Sequence, residues 1–220
     1  MIPDPVTVPL WLDLPAVVIS ALGGALVASR AGFDLGGVFG LGLLTGLGGG
    51  ILRDILLNQV PVALQTPEYI IAAVLASALI AVSARSVNRY MALVIVLDAA
   101  ALGLYGMTGI NKTLALGFDA WSAVLVGMVA ALGGGVLRDL STAKTPEIFR
   151  GGQIYATAVL IGLVAYLITW WIFSDEVIAV ITGVAVTFIV RIAAWRMNLT
   201  LPGPRQVPGP EEPGEHGSAS

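Results

Sequence analysis

The sequence predicts an all-α integral membrane protein of seven transmembrane helices, arranged as two inverted three-helix repeats plus a seventh helix. Composition, a doubled motif and the placement of charge carry that prediction. The 220 residues are 57% hydrophobic and 11% charged, with a mean hydropathy of +0.90, whereas about a quarter of a water-soluble domain is charged. Leu, Ala, Val and Gly dominate without the period-two alternation of barrel strands, which leaves helices as the spanning element. Gly-Gly-Gly-Ile-Leu-Arg-Asp at 48–54 returns as Gly-Gly-Gly-Val-Leu-Arg-Asp at 133–139, 85 positions later. The same gapless offset pairs Leu12-Asp13 with Leu97-Asp98, Gly32-Phe33-Asp34 with Gly117-Phe118-Asp119, and Pro61 with Pro146. Of the 50 positions from 12 to 61, 16 are identical in the second copy, which marks an internal duplication.

Met1 to Pro9 has no basic n-region and carries Asp4, so the first apolar stretch reads as a retained span and not a cleaved signal. The spans fall at Leu12–Ser29, Leu35–Leu57, Tyr69–Val87, Met91–Thr108, Trp121–Leu140, Ile154–Phe173 and Val177–Trp195. Each is close to the roughly 20 residues that cross about 30 Å of hydrocarbon. Pro61 and Pro67 separate the second span from the third, Pro146 and Gly151-Gly152 the fifth from the sixth, and Asp175-Glu176 the last two. Trp11, Trp121, Trp170, Trp171 and Trp195 stand at span ends, as aromatic-belt anchors do. The chain divides into a first three-helix repeat at 1–89, a second, inverted one at 90–174, the seventh helix at 175–197 and a disordered cytoplasmic tail at 198–220. That tail is rich in Pro, Gly and Glu and holds the one histidine, His216, with little to bury.

Three crossings per repeat put the second copy into the bilayer upside down. With the N-terminus outside, the inner loops and C-terminus carry Arg30, Arg85, Arg89, Lys144, Arg150, Arg191, Arg196 and Arg205, and the outer loops only Lys112. The positive-inside rule then sets the C-terminus in the cytoplasm. Asp4, Glu68, Asp119, Asp175 and Glu176 line the outer side, either as a rim that concentrates cations or as ordinary solvated loop residues.

Glycine-interrupted helices at corresponding places in inverted repeats point to a binding or permeation site near the midplane. Gly48, Gly49, Gly50, Gly133, Gly134 and Gly135 are expected to bend or unwind the second and fifth spans while letting helices pack closely. An unwound carbonyl facing a channel can replace part of a cation's hydration shell. Arg53, Asp54, Arg138 and Asp139 follow within a turn. Charges at membrane depth cost at least ~2.5 kcal/mol each on insertion scales, so they should face inward and neutralise one another, as a constriction of alternating sign or as an ion-pair lock. Asp13 and Asp98 sit at matched helix starts, where an N-terminal cap suits them better than a vestibule wall. Thr45 and Ser141-Thr142 offer hydroxyls. Lys144 and Arg150 form a basic cluster that reads either as an anionic-lipid contact or as plain positive-inside charge. There is no cysteine, metal-ligand cluster, nucleotide loop or nucleophile triad, so no enzyme, no cofactor, no bound metal and no nucleic-acid partner are expected.

With its doubled Gly-Gly-Gly-x-Leu-Arg-Asp segment and seven spans, the chain resembles the trimeric intracellular cation (TRIC) channel family, in its prokaryotic branch, over residues 12 to 195. That resemblance implies a homotrimer in the cell's inner (plasma) membrane, with one path per protomer lined by the two glycine-bearing helices. It implies passive conduction of monovalent cations, chiefly K+ with Na+ possible. The family's pore positions carry over onto the six triplet glycines and onto Arg53, Asp54, Arg138 and Asp139. The Lys-Glu-Val motif of animal members is missing here. Bacterial relatives are also labelled glycine transporters, so a secondary transporter of a small zwitterion stands as the alternative.

Overall fold

A computed structural model describes residues 9–87, 91–150 and 154–199. His216, Arg205 and most of the expected tail, together with Arg89 and Gly151-Gly152, lie outside the described residues. The architecture is all-helical: α1 (Leu10–Arg30), α2 (Leu35–Leu56), the single turn α3 (Val62–Gln65), α4 (Pro67–Val87), α5 (Met91–Ala115), α6 (Ala120–Ser141), a 3-10 turn at Glu147–Phe149, α7 (Ala156–Phe173) and α8 (Glu176–Arg196). Among the described residues, six helices are long and apolar enough to cross a membrane, and α4 contributes a shorter apolar stretch, Pro67–Ser83.

Local sequence explains where the helices begin and end. Asp34 caps α2 by accepting from the Gly37 N–H at 2.8 Å, and Asp119 caps α6 by accepting from Trp121 at 2.8 Å and Ser122 at 3.0 Å. The Ser122 and Trp121 donors hold the exposed Asp119 carboxyl below its ordinary range. Its contribution is therefore present above that range and is lost as pH falls through the lowered value. The ends of α1 and α5 turn through left-handed Gly32 (φ 76°) and Gly117 (φ 83°), so that Phe33 donates to Ala28 and Phe118 to Thr113 across the last turn. The ends of α2 and α6 repeat that device with Asn58 and Ala143, both at φ 53°. Asparagine suits a left-handed position; alanine adopts it at a cost of about 1–2 kcal/mol. The duplication thus reaches down to individual backbone conformations.

In the tertiary packing, α1 lies against α2, α4 and α5, α5 against α6 and α8, and α7 against α8, while α2 crosses α6 at the two glycine triplets. A Cβ on Gly49 would stand 2.4 Å from the Ala130 carbonyl, and one on Gly134 2.6 Å from that of Thr45. These glycines let two backbones touch. The expected unwinding is not found: both helices run unbroken through their triplets, and each glycine keeps a helical backbone. Close approach needs only the missing side chain, so the helical hydrogen bonds are retained.

Two further expectations are corrected. The fourth span continues to Ala115, which places Lys112 inside α5, 2% exposed, and not in a loop. Asp13 and Asp98 cap nothing: α1 has no side-chain cap, and Asp98 lies two turns into α5. Both carboxylates meet buried guanidinium groups, whose charge outweighs any helix-end effect.

Candidate functional site

The charged residues of the repeated motif form two separate buried clusters. In the first, Arg53 near the end of α2 grips Asp13 on α1 with both terminal nitrogens, Nη1 to Oδ1 at 2.8 Å and Nη2 to Oδ2 at 3.2 Å. Its Nε donates to Asp54 Oδ1 at 2.8 Å. Lys112 Nζ reaches the same oxygen at 2.9 Å, and the Val62 N–H donates to Asp54 Oδ2 at 2.9 Å. All four charged side chains are no more than 2% exposed. Two cations meet two carboxylates, which is the balance that burial demands.

The second cluster repeats the Asp–Arg–Asp core of the first and surrounds it with different neighbours. Arg138 near the end of α6 donates from Nη1 to Asp98 Oδ1 at 2.8 Å and from Nε to Asp139 Oδ1 at 3.0 Å. The Glu147 N–H donates to Asp139 Oδ2 at 3.0 Å, as Val62 does to Asp54. Tyr155 stands over Asp98 Oδ1 at 3.5 Å, and Arg191 from α8 pairs with the Glu147 side chain and lies 4.8 Å above the Tyr155 ring. Glu147 lies beyond the end of α6, where burial pushes its carboxyl up against the opposing pull of Arg191. Asp98 and Lys112 share α5 but belong to different clusters, 98 to 112 along the helix, or about 21 Å at 1.5 Å per residue.

Each cluster borders a small cavity. The first, of about 10 Å³, is lined by Asp13, Gly50, Arg53, Asp54, Tyr69 and Tyr105 among others. The second, of about 20 Å³, is lined by Ser20, Thr45, Asp98, Gly135, Arg138 and Tyr155 among others. Either volume suits about one water. At the first cavity the buried Tyr105 hydroxyl donates to the Gly46 carbonyl of α2.

Of the residues singled out from the sequence, the structure brings Arg53 to Asp54 and Arg138 to Asp139 but keeps the two pairs apart, so no ring of alternating charge spans the halves. Gly48, Gly49, Gly133 and Gly134 meet at the crossing, whereas Gly50 and Gly135 each face a cavity. Thr45 is buried and bonds the Leu41 carbonyl, while Ser141 is exposed. Lys144 is exposed, and Arg150 donates to the Thr145 carbonyl at 2.9 Å. Sequence reasoning missed Lys112, Tyr69, Tyr105, Tyr155 and the Glu147–Arg191 pair. The equal 40-residue spacing of Asp13 to Arg53 and of Asp98 to Arg138 is a signal that could have paired them.

Unbroken apolar helices around paired, buried ion clusters define a polytopic all-helical membrane protein. A family model described as Glycine transporter matches it twice, at residues 10–85 and 95–171. The UPF0126 inner membrane protein YadS of Escherichia coli is 34% identical, with 87% of this chain and 94% of that protein covered. A TRIC trimeric intracellular cation channel orthologue from Rhodobacter sphaeroides superposes with a TM-score of 0.81 at 32% identity, covering 86% of this chain and 98% of that one. A prokaryotic TRIC channel solved in 0.5 M KCl gives a TM-score of 0.79 at 26% identity, covering 86% and 95%. The chain belongs to the prokaryotic branch of the TRIC family.

Proposed function

We propose that this protein is a monovalent-cation channel, permeable to K+, with a path in each protomer of a homotrimer. What carries the reading is the pair of small cavities, one beside each ion cluster, with Tyr105 of the first bonded to the Gly46 carbonyl. The solved relatives are described as cation channels, which fits it. In this reading the path runs between α1, α2, α5 and α6, with Gly48 to Gly50 and Gly133 to Gly135 on its walls. Arg53, Asp54, Arg138 and Asp139 guard its ends. The first repeat, 1–89, and the second, 90–174, enter the bilayer in opposite directions, with 175–197 as the seventh span and 198–220 as a cytoplasmic tail. That topology is supported by α1 starting at the cluster where α5 finishes. The N-terminus lies outside, and Lys144 and Arg150 face the cytoplasmic headgroups.

In this reading the Tyr105 hydrogen bond to Gly46 holds the path closed. Purified protein in planar bilayers should give unitary currents whose reversal potential follows the K+ gradient. Tyr105→Phe removes one buried hydrogen bond, worth ~1 kcal/mol, so the open-to-closed ratio should rise about fivefold. Saturable uptake of labelled glycine with no unitary current would instead establish the zwitterion transporter that the family model's description suggests. In that case the Arg and Asp side chains hold carboxylate and amine.

A further inference from the structure

The two clusters share the Asp–Arg–Asp core of the repeat, Asp13, Arg53 and Asp54 in one and Asp98, Arg138 and Asp139 in the other, but differ around it. Asp13 has both oxygens bound by Arg53, at 2.8 and 3.2 Å. Its counterpart Asp98 receives Arg138 and Tyr155 on Oδ1 alone, and Oδ2 is buried with no hydrogen-bond partner among the described residues. Ser20 Oγ, on a residue 5% exposed, is likewise buried and unpartnered, and it lines the same cavity as Asp98. Thr45, whose Oγ1 donates to Leu41 and keeps a lone pair, completes that wall.

Charge differs at the same place. The first cluster is balanced by Lys112; the position 85 residues earlier, which the repeat sets against the second cluster, is Val27. Glu147 and Arg191 pair with each other, so Asp98 and Asp139 share one guanidinium. Among the described residues whose ion pairs form the second cluster, three carboxylates therefore meet two guanidinium groups. An unbalanced buried carboxylate beside orphaned oxygens is costly unless a counter-charge joins it.

We propose that the second cavity is a binding site for a single alkali-metal cation, held by Asp98 Oδ2, Ser20 Oγ and Thr45 Oγ1. The bound ion supplies the positive charge that Lys112 supplies covalently in the first cluster. Hard monovalent cations take oxygen ligands such as these, and the cavity has room for one dehydrated ion. The site deepens the channel reading: it is the place where a permeant ion pauses.

The test uses the full-length protein. Crystals soaked in Rb+ should show an anomalous peak in the cavity between Ser20 and Asp98. The unfolding midpoint in detergent should rise as N-methyl-D-glucamine is replaced by K+ at fixed ionic strength. Ser20→Ala should raise the half-saturating K+ concentration roughly three- to tenfold, the worth of one buried oxygen ligand. Asp98→Asn and Val27→Lys, by removing the excess charge or balancing it covalently, should abolish the K+ dependence. If either fails to assemble, Ser20→Ala still decides. Absence of the Rb+ peak, or an unchanged half-saturation in Ser20→Ala, overturns the site. Current without that peak removes the site and leaves the channel reading standing. The peak without current does the reverse.

Discussion

Arg53→Ala is expected to destabilise the protein by about 3–5 kcal/mol, the usual cost of removing one partner from a buried ion pair. The guanidinium is 1% exposed and satisfies Asp13 and Asp54 together, so its loss leaves two buried carboxylates sharing Lys112. Arg53→Lys keeps the charge but not the fork that reaches Asp13 and Asp54 at once, and should recover only part of the loss. The measurement is the unfolding midpoint in detergent, taken with single-channel recording on whatever fraction still assembles. A midpoint equal to that of the unmodified protein would mean that Asp13 and Asp54 find water in the membrane, and the sealed cluster described above would be wrong. An unchanged current from correctly assembled Arg53→Ala and Arg138→Ala proteins would confine the arginines to locking the fold.

Within one glycine triplet, neighbouring substitutions should have opposite outcomes. Replacing a helical glycine with alanine favours the helix by ~1 kcal/mol, so the sign depends on what the new methyl meets. At Gly49 it meets the Ala130 carbonyl at 2.4 Å, a backbone atom that moves only if α2 and α6 separate. Overpacking of that kind costs ~1–3 kcal/mol and more when backbone must yield, which exceeds the helical gain. Gly49→Ala should therefore lower stability, and Gly134→Ala with it, since its methyl would stand 2.6 Å from the Thr45 carbonyl. At Gly50 the methyl meets Tyr105 at 3.7 Å and Arg53 at 3.8 Å, ordinary contacts. Gly50→Ala should leave stability unchanged or improve it by up to ~1 kcal/mol, yet it narrows the first cavity, which Gly50 lines. A fall in conductance with no fall in the unfolding midpoint is the expected signature. Equal destabilisation by both variants would show that the triplet acts through backbone flexibility and not through contact.

The sequence exposed the parts of the fold that follow from its own periodicity. Composition and length announced the spans, and the 85-residue echo announced which helices would carry equivalent roles. That echo holds down to Asn58 and Ala143, which share a left-handed backbone although one of them is ill suited to it. Partner choice was not visible. Asp13 looks like a helix cap from its position alone, because nothing local tells that Arg53 will arrive from 40 residues away. Lys112 looks like loop charge for the same reason: its burial depends on Asp54, supplied by another helix. The triplets were read as places both of unwinding and of close packing; the packing is present where α2 meets α6, and the unwinding is not, because contact with the partner helix needs only the absence of bulk. In each case a pairwise tertiary contact overrode a local tendency.

The single replacement of lysine by valine between the repeats has an electrical consequence. A conduit whose two mouths carry the same charge passes current equally in both directions under symmetric salt. In the path proposed above, the mouth at the first cluster is neutral, through Lys112, and the mouth at the second, where Val27 is the repeat's counterpart of Lys112, holds an excess carboxylate. Cations collect more readily at the second mouth, so the current–voltage curve should bend, and Val27→Lys should straighten it.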